Sequence, residues 1–363
     1  VYLDTIGTLP TAEEERSFLE DPEPDRRARL IECLLERPEF ADYWSLKWCD
    51  LLRVKSEFPI NLWPNAVQAY HRWVRDAIAA NRPYDRFVRE ILTSSGSNFR
   101  VPQVNFYRAI RDRKPTTMAQ AVALTFMGER VEQWPEERLT GMAAFFEGVT
   151  YKMTGEWKEE IVSVDLFGAA GAGERHGVFP DGTRVELPVG QDHRKTFADW
   201  LTGADNPWFA RNIVNRIWYW LLGRGIIHEP DDIREDNPPA NAKLLTLLAG
   251  KLVDAEWDLK QIHRAILGSA TYQRSCIPTT DRPEAAGFAH YPVRRLGAEV
   301  LIDAICQITG TTEDYSSLIP EPWTFIPGEE RTIALADGSV TSPFLELFGR
   351  PARDTGLESE RDN

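Results

Sequence analysis

The 363 residues carry 42 Lys and Arg against 56 Asp and Glu, a net charge of −14. That balance argues against a nucleic-acid binder or a protein drawn to an anionic membrane surface. A hydrophobic share of 42% and a charged share of 27% fit a globular chain long enough for two cores. No apolar run approaches the ~20 residues of a membrane span.

Tryptophan, at 12 residues, is the compositional outlier. The four cysteines, Cys33, Cys49, Cys276 and Cys306, form neither a C-x-x-C nor a Cys/His cluster, which excludes the usual zinc and haem-attachment spacings. Cys33 and Cys306 fall in helical apolar patterns and read as buried free thiols. A disulfide within either half is left open. The chain starts at Val1 without Met and stops at "GLESERDN", so it reads as a segment of a longer protein, with any targeting signal upstream.

The first half is predicted to be mostly helix. "PTAEEERSFL" is a capping box, Thr11 at the N-cap and Glu14 reaching back. "DRRARLIECLLERP" sets Leu30, Ile31, Leu34 and Leu35 on one stripe that Pro38 ends. "EFADYWSLKWCDLLRV" and "PNAVQAYHRWVRDAIAANRPY" continue the pattern, through Phe40, Tyr43 and Trp44 and then Val67, Tyr70, Val74 and Ala77. In "LTFMGERVEQWPEERLTGMAAFF" (124–146) two apolar helical runs flank a charged corner. Pro135 starts the second run, Glu136 and Glu137 sit in its positive first turn, and Trp134 is placed to staple onto Leu139.

Between about Ile161 and Asp192 the period changes to β, with Asp181-Gly182 as a hairpin turn. The second half is helical again. "NPWFARNIVNRIWYWLLGRG" buries Phe209, Ile213, Ile217, Trp220 and Leu221 and stops at Gly223. A helix pair and "VRRLGAEVLIDAICQITG" follow, and the chain is Pro-rich and irregular beyond Gly310. The fold class is therefore mainly α: helical units over 1–160 and 193–363, joined by a small β-hairpin insert over 161–192.

No catalytic motif stands out. Gly168, Gly171 and Gly173 do not match G-x-G-x-x-G, and a hairpin rather than a helix follows them, so the dinucleotide reading fails. The six histidines are scattered, with no pair at ligand spacing, and His71 and His263 sit inside amphipathic helices. The loop "HEPDDIREDNPP" concentrates Asp231, Asp232, Glu235 and Asp236. Such a loop can hold Ca2+, yet it lacks EF-hand alternation, and acidic residues ahead of a helix also complement its dipole. Arg211, Asn212, Asn215 and Arg216 lie on a helix otherwise full of aromatics. There they either cap neighbouring loops in a buried network or line a polar cleft, and they are the best cleft candidates. Arg294, Arg295, Glu299 and Asp303 read as an intrahelical ion-pair ladder. Of Trp44, Trp48, Trp63, Trp73, Trp134, Trp218 and Trp220, most fall at core spacing, which leaves few as sugar-stacking platforms.

These landmarks resemble a known pairing. The stretch from "VYLDTIGTLPTAEEERSFLEDPEPDRRARLIECLLERPEFADYWSLKWCDLLR" to "NRPYDRFVREIL" resembles the planctomycete cytochrome-c-like domain of unknown function. "FADWLTGADNPWFARNIVNRIWYWLLGRGII", "GSATYQRSC", "RRLGAEVLIDAI" and "PFLELFGRPARDTGLESERDN" resemble the planctomycete-specific domain that follows it, here C-terminally truncated. The resemblance implies a mostly helical, exported bacterial protein of the periplasm or cell surface, often encoded near sulfatase-type genes. In many relatives the helix ending near Gly128 runs into C-x-x-C-H. Here "GERVEQWPEERL" carries neither Cys nor His, so covalent haem has no attachment point. The expectation is a non-redox binding or scaffold protein that acts with a partner protein or surface glycan and needs no cofactor. The alternatives are a hydrolase on complex or sulfated polysaccharide, with its site near Arg211, Asn215 and the acidic loop, and an accessory to electron transfer through a separate haem domain.

Overall fold

The computed structural model describes residues 1–167, 175–277, 287–324, 326 and 328–358. Gly168, Gly171 and Gly173 lie outside the described residues. The first half winds through α1 (Tyr2–Ile6), α2 (Ala12–Glu20), α3 (Arg26–Leu35), α4 (Pro38–Leu51), α5 (Pro64–Ala79), α6 (Tyr84–Thr93), the short α7 (Asn105–Arg108), α8 (Pro115–Val122) and α9 (Glu136–Ala143). The second half adds α10 (His193–Leu201), α11 (Phe209–Leu222), α12 (Ala242–Asp254), α13 (Leu259–Leu267), α14 (Ala298–Thr309) and α15 (Pro343–Leu347). The protein is mainly α, as the periodicity predicts.

Local chemistry explains where these helices begin and end. Thr11 and Glu14 close a reciprocal capping box on α2, an arrangement that stabilises a helix start by about 1 kcal/mol. Asp192, Asn241, Asp258 and Ser342 cap α10, α12, α13 and α15 through their side chains. Proline stands at the first position of α4, α5 and α8, where its missing N–H is not needed. Pro38 thus opens α4 rather than simply closing α3.

Strands are few. β1 (Gly96–Ser97), β2 (Val149–Met153) and β3 (Glu160–Val164) form a three-stranded antiparallel sheet in the order β1-β3-β2, with Tyr151 opposite Val162. β4 (His176–Val178) and β5 (Arg184–Glu186) make a separate hairpin, Gly177 opposite Val185. Its turn is the expected Asp181-Gly182 pair, with Gly182 at φ +88°. Besides the two-residue β1, strand structure begins at Val149, earlier than the sequence pattern shows, because β2 reads as the tail of the preceding apolar run.

A continuous hydrophobic cluster joins both halves, from Ile6 to Ala336. At its centre Trp44 and Trp48 of α4 meet Trp220 of α11, with ring centroids 5.5 Å and 6.5 Å apart. The final segment returns to the first half: buried Arg353 donates to Asp50 (2.8 Å) and to the carbonyls of Val54 and Ala336.

Two sequence expectations are corrected. α14 begins at Ala298, with Gly297 as its N-cap, so Arg294 and Arg295 lie outside the helix and no ion-pair ladder forms. Arg294 instead pairs with Asp4 at 2.6 Å, and Asp303 accepts the Thr332 and Ile333 amides. Cys33 is exposed, because only Ile31, Leu34 and Leu35 of α3 reach the core. All four cysteines are free thiols.

Candidate functional site

Helix α8 ends in a π-helical turn, Ala123–Met127, closed by Gly128 at φ +69°. There is no room for a side chain at Gly128. An added Cβ would lie 2.7 Å from Asn212 Oδ1 and 2.9 Å from the Pro230 carbonyl oxygen. The Gly128 carbonyl accepts the Ile233 amide at 2.8 Å, which ties this turn to the acidic loop.

From that junction the charged corner 129–138 runs along one wall of a cleft of about 1650 Å³. The β4–β5 hairpin, the loop at 232–239 and the start of α11 at Trp208 and Arg211 complete its lining. Aromatic packing fixes the hairpin wall. Phe179 stacks on Trp200 (4.9 Å between centroids) and on Phe145 (4.9 Å), and the Trp200 indole donates to Asp181 at 2.9 Å.

The centre of the corner wall is a four-residue cluster. The Glu129 carboxylate, 6% exposed, accepts N–H bonds from the Trp134 indole (2.7 Å) and the Trp208 indole. Arg138 lies 3.3 Å from the same carboxylate, and its guanidinium sits 3.7 Å over the Trp134 ring and 5.8 Å from the Trp208 ring. Burial raises the Glu129 pKa despite these donors, and burial lowers that of Arg138 despite the carboxylate beside it. Trp134 is thus held by Glu129 and Arg138. It forms a rigid indole face braced on one edge by Glu129 and covered by Arg138, one turn into α9, whose N-cap is Pro135.

The structure divides the residues singled out on α11. Arg211 lines the cleft, and its Nε has no hydrogen-bond partner among the described residues. Asn212, Asn215 and Arg216 do not line it; all three are fully buried. Asn212 donates to the Thr125 carbonyl (3.1 Å) and accepts from Arg216 Nε (3.1 Å). Asn215 pairs through both ends of its amide with the backbone of Ile227, at 2.9 Å and 2.8 Å. Arg216 reaches the Leu124 carbonyl (2.8 Å), Asp231 (2.7 Å) and Glu358 (3.2 Å). These three side chains pin loops. They do not contact a ligand space.

The acidic loop divides in the same way. Asp231 is buried against Arg216 and accepts the Glu358 amide at 2.6 Å. Asp232, Glu235 and Asp236 line the cleft, where Arg234 pairs with Asp232 (3.0 Å) and Asp236 (3.3 Å). Among the described residues no group of three or more His, Cys, Asp or Glu side chains is placed to hold a metal ion. The histidines stay apart. His71 and His263 are buried, and burial pushes their pKa values down to about 3 and about 4.

Glu129, Arg138 and Trp208 were not singled out from the sequence. Trp208 lies 79 residues from Glu129 and joins it only in three dimensions.

The fold and this cleft define a mainly helical protein with an open groove walled by indoles, guanidinium groups and carboxylates. Residues 1–152 match the family model described as PSCyt2, protein of unknown function (DUF1549), and residues 193–362 match that of PSD1, protein of unknown function (DUF1553). The chain belongs to these two families, in that order, and residues 153–192 fall between the two matches. No curated protein and no solved structure matches it.

Proposed function

We propose that the chain is a non-redox binding protein whose cleft takes a glycan chain. The observation that carries this reading is the Glu129–Trp134–Arg138–Trp208 cluster on the cleft wall. A pyranose ring has an apolar CH face and a rim of hydroxyls. An indole held rigid beside charged donors and acceptors complements both at little entropic cost. Arg211 and the partly exposed Asp232, which also line the cleft, supply further hydrogen-bonding groups at its wall. Placement in the periplasm or at the cell surface rests on the family resemblance alone.

Affinity electrophoresis of the full chain through gels containing soluble polysaccharides tests this reading. Retardation by at least one polymer, weakened about tenfold in Trp134→Ala, is the expected result; tenfold is the loss of one strong contact. Equal mobility of parent and variant on every polymer rejects the cleft as a glycan site.

A second reading, hydrolysis of a polysaccharide, is favoured by one observation: Glu129 is a cleft-wall carboxyl whose pKa burial raises, the direction a general acid needs. Product release that is abolished in Glu129→Gln and Asp232→Asn, with binding intact, supports it. Asn215→Ala is not a test of catalysis, because Asn215 holds Ile227 inside the core.

A further inference from the structure

The loop 55–63 and the tip of the β2–β3 hairpin place two more indoles together at the surface, away from the cleft. Trp63 and Trp157 stand edge-to-face, with ring centroids 6.2 Å apart and planes at 81°. Trp157 is 69% exposed, which is rare for so large an apolar ring without a partner. The ammonium of Lys158 lies 4.9 Å from the Trp63 ring and 5.4 Å from that of Trp157. None of these residues lines the cleft.

The pair is held at a cost in backbone conformation. Trp63 has φ +74° and ψ 145°, close to a region that glycine almost alone occupies. Such strain persists only where the surroundings fix it. Here Leu62, fully buried, donates to the Lys55 carbonyl (3.2 Å), and Trp63 donates to that of Ser56 (3.3 Å). The hairpin tip is braced as well. Glu159 accepts from Ser97 (2.5 Å) and Thr154 (2.8 Å), and the Glu156 amide donates to Thr154 Oγ1 (3.1 Å). Two independently braced loops thus present a fixed notch of two indole faces beside an ammonium donor.

We infer that this notch is a carbohydrate-binding platform that takes a pyranose ring of a neutral polysaccharide. The ring's CH face stacks on the exposed face of Trp157, and a hydroxyl accepts from Lys158. The surroundings mix apolar and polar groups: Phe58 of the same loop and Met153 of the same hairpin are exposed, and so are Lys152, Glu156 and Lys158. The charged groups supply hydrogen-bond partners that ring hydroxyls use and a lipid tail or an apolar peptide does not, which favours a sugar. The net charge of −14 opposes an anionic membrane. This platform does not rest on the cleft reading, since each has its own tryptophan to remove.

The test uses the full chain in affinity gels containing xylan, galactomannan, mixed-linkage β-glucan or starch, with co-sedimentation on anionic vesicles and sedimentation velocity alongside. Retardation by at least one polymer is expected. Trp157→Ala should lower that affinity about tenfold, the loss of one strong contact, while Trp134→Ala leaves the Trp157-dependent part in place. Trp63→Gly should lose the same binding with a Tm no lower than the parent's, because glycine takes φ +74° without strain. If Trp63→Gly fails to fold, Trp157→Ala alone decides, as its ring is largely in solvent. The inference is overturned if no polymer retards the parent, or if retardation is unchanged in Trp157→Ala. It is equally overturned if Trp157 proves instead to drive vesicle binding or self-association.

Discussion

The Arg216 guanidinium lies 3.2 Å from the Glu358 carboxylate with both side chains buried, so the middle of α11 is joined to the last described residue of the chain. Asp231, at 2.7 Å, shares the same guanidinium, and the Trp220 indole donates to Glu358 at 2.9 Å. One guanidinium therefore faces two buried carboxylates. Arg216→Met removes it from between them and is expected to destabilise the fold by about 3–5 kcal/mol. Glu358→Gln keeps an acceptor for Trp220 and leaves the Arg216–Asp231 pair, so about 1–2 kcal/mol is expected. Urea unfolding of both variants checks the order; a larger loss in Glu358→Gln would refute it.

Gly128 controls how the cleft wall meets the acidic loop. Its left-handed φ and the absence of space for a Cβ act together. Gly128→Ala is expected to lower stability by about 2 kcal/mol or more, and to weaken any ligand that contacts Glu129 or Asp232. Thermal denaturation and affinity electrophoresis measure the two effects separately.

His71 and His263 make stability depend on pH. Burial keeps both neutral in the fold, with pKa values of about 3 and about 4 against an ordinary 6.5. Below pH 6.5 the unfolded chain binds protons that the folded chain refuses. Their contribution is therefore full above about pH 7, is lost as pH falls through 6.5, and levels off near the folded values. Each histidine adds a slope of up to about 1.4 kcal/mol per pH unit in that window. Glu129 and Asp303, whose pKa values burial raises, act with the opposite sign at the acid end, so the parent and His263→Gln are compared rather than absolute curves. The slope of unfolding free energy between pH 5 and 6.5 should be smaller in His263→Gln; an identical slope would count against a buried neutral imidazole.

Ca2+ is expected to leave Tm unchanged. Asp231 is committed to Arg216, and Arg234 pairs with both Asp232 and Asp236, so three of the loop's carboxylates already face a guanidinium. A rise in Tm on adding CaCl2 that disappears in Asp232→Asn would restore the cation-site reading. The purified chain is likewise expected to show no Soret band, because 109–157 contains no Cys or His to hold haem.

Much of the architecture is a local property and could be read directly. The capping box at Thr11 and Glu14, the apolar stripes of α4, α5 and α11, the stop at Gly223 and the Asp181-Gly182 turn each depend on residues within a few positions of one another. Local patterns fail where distant partners decide. The start of α14 departs from the local pattern because Arg294 lies ahead of the helix and reaches Asp4, and Cys33 faces solvent although its neighbours Ile31 and Leu34 do not.

The α11 residues show the boundary most sharply. Sequence alone establishes that Arg211, Asn212, Asn215 and Arg216 need polar partners, since a buried guanidinium or amide without them is too unfavourable to persist. Whether those partners are loops or a ligand space depends on which side of the helix meets solvent, and that follows from how Thr125, Ile227, Asp231 and Glu358 close around it. In the same way, "GERVEQWPEERL" by itself determines only a charged corner without haem ligands. Tertiary structure brings Trp208 across 79 residues to the Glu129 carboxylate, and only that closure makes the corner one wall of a cleft.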